Sequence, residues 1–382
     1  MKHKMLKYLF KIQAGRLFTG LAFAVLTVCL VGTLSSCGTD EPKEQEDEFD
    51  RKAMLQTWVN DYMIPGYENW QTSIISLKAA VAALVSDPDA GSLANTRSAY
   101  VQSALAWQKV SMFQIEKANE LRLREFVNTY PCDTNALIKA IVGNSYNFSK
   151  VSTIVIQGYP AFNYLLYGLA NSGTEIAQTF EKDGYANFIQ ALVNRLESLA
   201  SETLAFWKES GANDFINNNG LGANSSTAIV VNEYVKYFEK YVRAGKVGIP
   251  AGVYSANPLP QNVEAPYGMA PTKEFLLASL KACKGFYDKN ESDFTDLNLA
   301  AYLNYLNSIR NTEVIHASIM AQFNSIEDKA NALDISLYNQ VVSNNTKMLE
   351  LYDEMQKLVV LLKVDMMQAL NINVNYVDAD GD

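Results

Sequence analysis

The residue types able to do chemistry in this 382-residue chain are few, and histidine is the scarcest. Only His3 and His316 occur, and His3 lies in a basic N-terminal stretch. Glu313-Val314-Ile315-His316 has the spacing that places a carboxylate and an imidazole on one helix face. Carboxylate-bridged di-iron bundles use two such pairs, and here only one copy exists. That leaves a mononuclear site completed by distant acids, or a hydrogen-bonded histidine with no metal. Asp378, Asp380 and Asp382 alternate as a calcium loop begins, yet no later bidentate glutamate follows. An acidic tail with at most weak surface Ca²⁺ binding is the expectation. No GxSxG, HExxH or Walker-type loop is present. The 21 tyrosines suit a cleft for flat or sugar-like ligands, and tyrosine can ligate ferric or haem iron.

The cysteines are Cys29, Cys37, Cys132 and Cys283, with no CxxC pair, which argues against a cysteine zinc site. Lys2, Lys4, Lys7, Lys11 and Arg16 precede an uncharged apolar run from Leu17 to Val31, as in an export signal. The run ends at Leu34-Ser35-Ser36-Cys37, which resembles the bacterial lipobox. Cleavage before Cys37 would remove residues 1–36 and leave a lipidated cysteine, anchored by its acyl chains. A transmembrane anchor is the alternative, but the run is marginal for a span of about 20 residues. The 346 residues that remain would carry a charge of −14, which disfavours nucleic acid as a partner. Cys132 and Cys283 could pair in an oxidising envelope; two isolated buried thiols fit equally well.

Residues 37–50 hold Asp40, Glu41, Glu44, Glu46, Asp47, Glu48 and Asp50. Such a stretch repels itself and buries nothing, so it reads as a disordered tether. An acidic run behind the lipidated cysteine also resembles the surface-export signal of Bacteroidota lipoproteins; a plain spacer is the alternative. Beyond it the chain reads as all-α. Ile74, Leu77, Val81 and Leu84 follow helical spacing until Asp87-Pro88-Asp89. Tyr100, Ser103, Trp107 and Val110 mark the next helix. Val341, Asn345, Met348, Tyr352, Met355, Val359, Leu362 and Met366 form a bundle seam. Ile372 to Val377 could be a short extended piece. Asn217 to Gly222 is a turn-rich break, which divides the body into halves at 51–216 and 217–382. Gly245 to Pro271, with five of the ten prolines, reads as a long loop of the kind that is often functional.

Three segments together resemble the imelysin family of envelope proteins, named after an insulin-cleaving metallopeptidase. Phe126 to Asp133 is similar to the family's Asn-x-Trp-Pro-x-Asp segment. Gly158-Tyr159-Pro160-Ala161-Phe162-Asn163-Tyr164-Leu165-Leu166-Tyr167-Gly168 resembles its Gly-x-His-x-x-Glu motif and continuation. The ending from Leu362 to Asp382 is the third, and Arg243 to Gly252 with Val263-Glu264 fits the family's mid-chain loop. The resemblance implies two helical-bundle halves with approximate internal twofold symmetry, a cleft between them, and a link to iron or haem uptake. The chain departs from the pattern where the chemistry lies. The motif histidine falls on Pro160 and the motif glutamate on Asn163. An earlier family glutamate falls on Ser111 and an arginine on Ala104. Proline has no donor atom, and an asparagine carbonyl is a poor ligand and no base. Pro160 is instead suited to the first position of a helix that follows Gly158.

The first expectation is therefore a non-enzymatic envelope lipoprotein, at the outer membrane and facing the periplasm or the surface. It would bind a ligand or an uptake protein in iron or haem acquisition, with no resident cofactor, metal ligands or catalytic residues. The resemblance places Trp107, Asn128, Tyr130, Asp133, Gly158, Asn163, Arg243 and Glu264 at its cleft. A metallopeptidase rearranged around His316 is the second reading, and a structural lipoprotein with a decayed site the third.

Overall fold

The structure is a computed structural model that describes residues 47–268, 270–289 and 297–377. Cys37, the apolar run before it and the acidic tail from Asp378 lie outside the described residues. Among the described residues every regular element is a helix, and no helix is long and apolar enough to cross a membrane. Residues 45–382 form one compact unit.

Helix α1 (Ile64–Ser86) buries Tyr67, Trp70, Ile74, Leu77, Val81 and Leu84 completely, and ends at Asp87, just before Pro88. Each large apolar side chain so buried contributes roughly 1.5–3 kcal/mol before entropy is counted. Helix α2 (Ala90–Val110) starts from a reciprocal cap. The Asp89 carboxylate accepts from the Ser92 amide at 2.7 Å, and the Ser92 hydroxyl accepts from the Asp89 amide at 3.1 Å. It packs on α1 through Tyr100, Ser103 and Trp107. Next come the short helices α3 (Leu123–Asn128) and α4 (Gly158–Asn163), then α5 (Asp183–Lys208), which covers the other side of α1.

After the turn that begins at Asn218, α6 (Ser226–Lys236) runs without a break into a π-helical stretch, Tyr237–Gly248, and a last turn, Ile249–Ala251. The long loop expected from Gly245 therefore starts at Gly252. Periodicity alone does not reveal this, because Pro250 sits in the first turn of that last segment, where proline is tolerated. Helix α7 (Thr272–Tyr287) packs against α2, and α8 (His316–Asn331) against α7. Helix α9 (Thr346–Val360) carries the late seam, and Met348, Met355, Leu362 and Met366 have no exposed surface. Ile372 to Val377 is irregular and forms no strand. Its backbone is held by Asn232, whose amide donates to the Asn373 carbonyl at 3.1 Å and accepts from the Asn375 amide at 3.0 Å.

The tether was expected to reach residue 50, but residues 47–50 are docked on the body. The Phe49 ring lies 4.7 Å from that of Tyr302. Asp47 accepts from the Tyr302 hydroxyl at 2.9 Å and pairs with Arg51 at 2.6 Å. One aromatic and a compensated acid are enough to order the end of an otherwise charged run.

Candidate functional site

A buried polar knot forms where α2, the end of α3, the π-helical stretch and the irregular loop meet. Gln108 donates from Nε2 to Glu264 Oε1 at 2.8 Å, and Asn128 donates from Nδ2 to the same oxygen at 2.6 Å. Lys246 forms an ion pair with Glu264 Oε2 and donates to Gln108 Oε1 at 3.0 Å. The Ser279 hydroxyl of α7 donates to that Gln108 oxygen at 2.9 Å. Both carboxylate oxygens of Glu264 are thus used, and its charge is met by an ammonium. A buried carboxylate survives only with such compensation.

A second cluster adjoins it. Arg124 donates from Nε and Nη2 to the Ser111 carbonyl at 3.0 and 2.6 Å, and from Nη2 to Glu233 at 2.8 Å. Its guanidinium lies 4.0 Å from the ring centre of Tyr241 and 5.2 Å from that of Tyr237. The Ser111 hydroxyl donates to the Tyr237 oxygen at 2.6 Å. Ser111, which stands where the family has a glutamate, thus serves hydrogen bonding and has no metal-binding carboxylate to offer.

Beside these clusters opens a cleft of about 390 Å³. Tyr130, Pro131, Tyr241 and Ile249 line it, with Lys240 also on its wall. Arg124, Asn128, Tyr130 and Tyr241 also line a small chamber of about 20 Å³ that includes Trp107 and Lys246. The cleft and the knot therefore share a wall. Burial, and next the neighbouring Glu264, push the Tyr130 phenol well above its usual range. It is a neutral hydrogen-bonding group rather than a phenolate ready to hold iron.

Of the residues the sequence pointed to, Trp107, Asn128, Tyr130 and Glu264 come together here. The others serve elsewhere. Asp133 is exposed and caps the helix Thr134–Val142, accepting from the Ala136 amide at 2.9 Å. Gly158 has φ of 72°, and a β-carbon there would overlap the carbonyls of Phe126 and Val127. Asn163 is fully buried, and its amide clips the loop: Nδ2 donates to the Tyr267 carbonyl at 3.1 Å and Oδ1 accepts from the Tyr267 amide at 2.9 Å. Arg243 belongs to a different group, 3.6 Å from Glu239 and donating to the Tyr352 hydroxyl at 2.7 Å. Pro160 occupies the third position of α4 rather than the first, because Gln157 is the cap. It still lies in the first turn, where its missing N–H leaves no intrahelical bond unmade. Tyr159, Phe162, Leu165 and Leu166 fill the space around it with buried side chains.

Gln108, Lys246, Arg124 and Tyr241 were not singled out by sequence. Gln108 and Lys246 sit beside residues that were, Trp107 and the Arg243–Gly252 segment, but nothing local marks either as buried.

Glu313 is not on a helix. It precedes α8 in an exposed irregular segment, while His316 begins the helix. The pair therefore shares no helix face. His316 Nε2 is 3.6 Å from Asp288 Oδ2, and its ring stacks on Tyr287. Among the described residues no group of three or more His, Cys, Asp and Glu side chains is arranged to hold a metal ion. Cys132 and Cys283 are free thiols.

No curated protein matches the chain. Two solved structures resemble its fold. One is an imelysin-like protein from Psychrobacter arcticum, 16% identical with a TM-score of 0.69, covering 85% of this chain and 97% of its own. The other, from Parabacteroides distasonis, is described as an iron-regulated protein A precursor. It is 15% identical with a TM-score of 0.64, covering 86% and 97%. The model of the imelysin peptidase family matches residues 63–364, most of the body that holds the knot and the cleft. On that match the chain belongs to the imelysin family.

Proposed function

We propose that this chain is a non-catalytic binding protein of the bacterial envelope, tethered by lipid at Cys37 and serving iron or haem acquisition. The observation that carries the non-catalytic part is the state of the acids. Glu264, the buried carboxylate beside the cleft, is neutralised by Lys246 and saturated by Gln108 and Asn128. The motif positions hold Pro160 and Asn163, and the asparagine amide is spent on Tyr267. Neither arrangement leaves a free base or ligand set for a hydrolytic metal. The role in acquisition draws on the iron-regulated relative from Parabacteroides distasonis. The lipobox-like segment supports the envelope location.

Calorimetric titration of the purified protein with haem, Fe³⁺ and Zn²⁺ tests this reading. Haem or Fe³⁺ should bind tighter than about 1 mM, equivalent to roughly −4 kcal/mol. No binding of either would remove direct ligand capture. It would favour the structural reading, which the packed side chains around Pro160 already support.

A further inference from the structure

The cleft has chemical properties that narrow its ligand. The orientation of the Asn128 amide is fixed, because a carboxylate only accepts hydrogen bonds. Nδ2 must face Glu264, so Oδ1 is turned away from it. That oxygen is buried and accepts no hydrogen bond from the protein. A buried amide acceptor left without a donor is costly, and Asn128 is on the wall of both the cleft and the chamber. The site therefore asks for an N–H or O–H donor.

The walls ask for a ring. Tyr130, Tyr241, Pro131 and Ile249 present flat and apolar surface, and Arg124 already stiffens Tyr241 by lying over it. A volume of about 390 Å³ lies near the small end of ligand sites, roughly 300–1,000 Å³. It suits a single small molecule better than an extended peptide.

The charges ask for an anion. Arg124 is compensated by Glu233, and Glu125 is engaged by Gln114 at 3.1 Å. Lys240 donates to the neutral Val377 carbonyl at 3.0 Å and has no carboxylate partner among the described residues. An ammonium on an aromatic-walled cleft of an acidic chain is a place for a carboxylate.

We propose, resting on the binding reading above, that the cleft takes a small hydroxylated aromatic acid. Its ring lies on Tyr130 and Tyr241, a hydroxyl donates to Asn128 Oδ1, and its carboxylate meets Lys240. Such molecules chelate ferric iron through adjacent hydroxyls, so the ligand class is consistent with an acquisition role.

The test is calorimetry of the purified protein with 2,3-dihydroxybenzoate in metal-free buffer, against 2,3-dimethoxybenzoate and catechol. Tyr241→Ala and Lys240→Gln serve as variants, since both side chains reach solvent and neither belongs to the core. Dihydroxybenzoate should bind, and the dimethoxy compound, which has no donor, should bind at least about tenfold more weakly. Tyr241→Ala should weaken dihydroxybenzoate by about tenfold. Lys240→Gln should weaken dihydroxybenzoate and leave catechol unchanged. Absence of binding, equal binding of the dimethoxy compound, or indifference to Tyr241→Ala would overturn the proposal. If haem or Fe³⁺ still binds when dihydroxybenzoate does not, the ligand class falls and the wider reading stands. If none binds, both fall.

Discussion

Lys246 and Glu264 form an ion pair inside the molecule, with side chains only 4% and 7% exposed. The π-helical stretch supplies the lysine and the irregular loop supplies the glutamate. Gln108 joins them, donating to the carboxylate with its nitrogen and accepting from the ammonium with its oxygen. Removing one charge from such a pair leaves the other stranded. Lys246→Met should therefore destabilise the fold by about 3–5 kcal/mol, read as a lower urea midpoint. Adding Glu264→Gln should recover a substantial part of that loss. A single variant as stable as the parent would show that the pair is solvated in solution.

Asn163 gives the loop its attachment. Asn163→Ala would leave the Tyr267 amide and carbonyl without these partners, at a cost of about 1–3 kcal/mol. The segment from Gly252 to Pro271 should then be cut faster in limited proteolysis, while cleavage elsewhere is unchanged. Unaltered cleavage within the loop would show that other contacts hold it.

Gly158 tests the close approach of two short helices. Its φ of 72° and the overlap a β-carbon would make with the Phe126 and Val127 carbonyls both oppose any side chain. Gly158→Ala should lower the melting temperature, corresponding to more than about 1 kcal/mol. Gly220→Ala, where a β-carbon meets nothing within 4 Å, is the control and should be nearly neutral.

His316 should make stability pH-dependent. Burial pushes its imidazole below the ordinary value, and the nearby Asp288 carboxylate partly opposes this. A group whose folded pKa lies below its unfolded one takes up protons on unfolding. Stability from this source is complete above the unfolded value of about 6.5 and is reduced as pH falls from there toward the folded value. His316→Gln should flatten that part of the profile between about pH 5 and 7, measured by urea denaturation at each pH. A profile parallel to the parent's would assign the dependence to other groups.

The helical body was legible because its apolar spacing is long and regular. Ile74 to Leu84 and Met348 to Met366 both face the core as their periods require. The continuation of α6 to Ala251 was not legible, since Gly245, Gly248 and Pro250 read as breakers while tertiary packing holds them in a helix. Glu313 and His316 show the reverse error, a helical spacing without a helix. The candidate site was half legible. Trp107, Asn128, Tyr130 and Glu264 were found through the family-like segments, but Gln108 and Lys246 were not. A polar side chain in a helix does not announce that its partner lies 138 residues away. Asn163 was placed in the cleft for its position in the motif, whereas its amide ties down the loop.

The central claim is that Glu264 is held by Lys246 and is not available for metal-assisted hydrolysis. The direct measurement is cleavage of an unfolded protein substrate by the purified chain with Zn²⁺ supplied, compared with Glu264→Gln. The account expects no cleavage above the enzyme-free blank for either protein. Turnover by the parent that Glu264→Gln abolishes would contradict it.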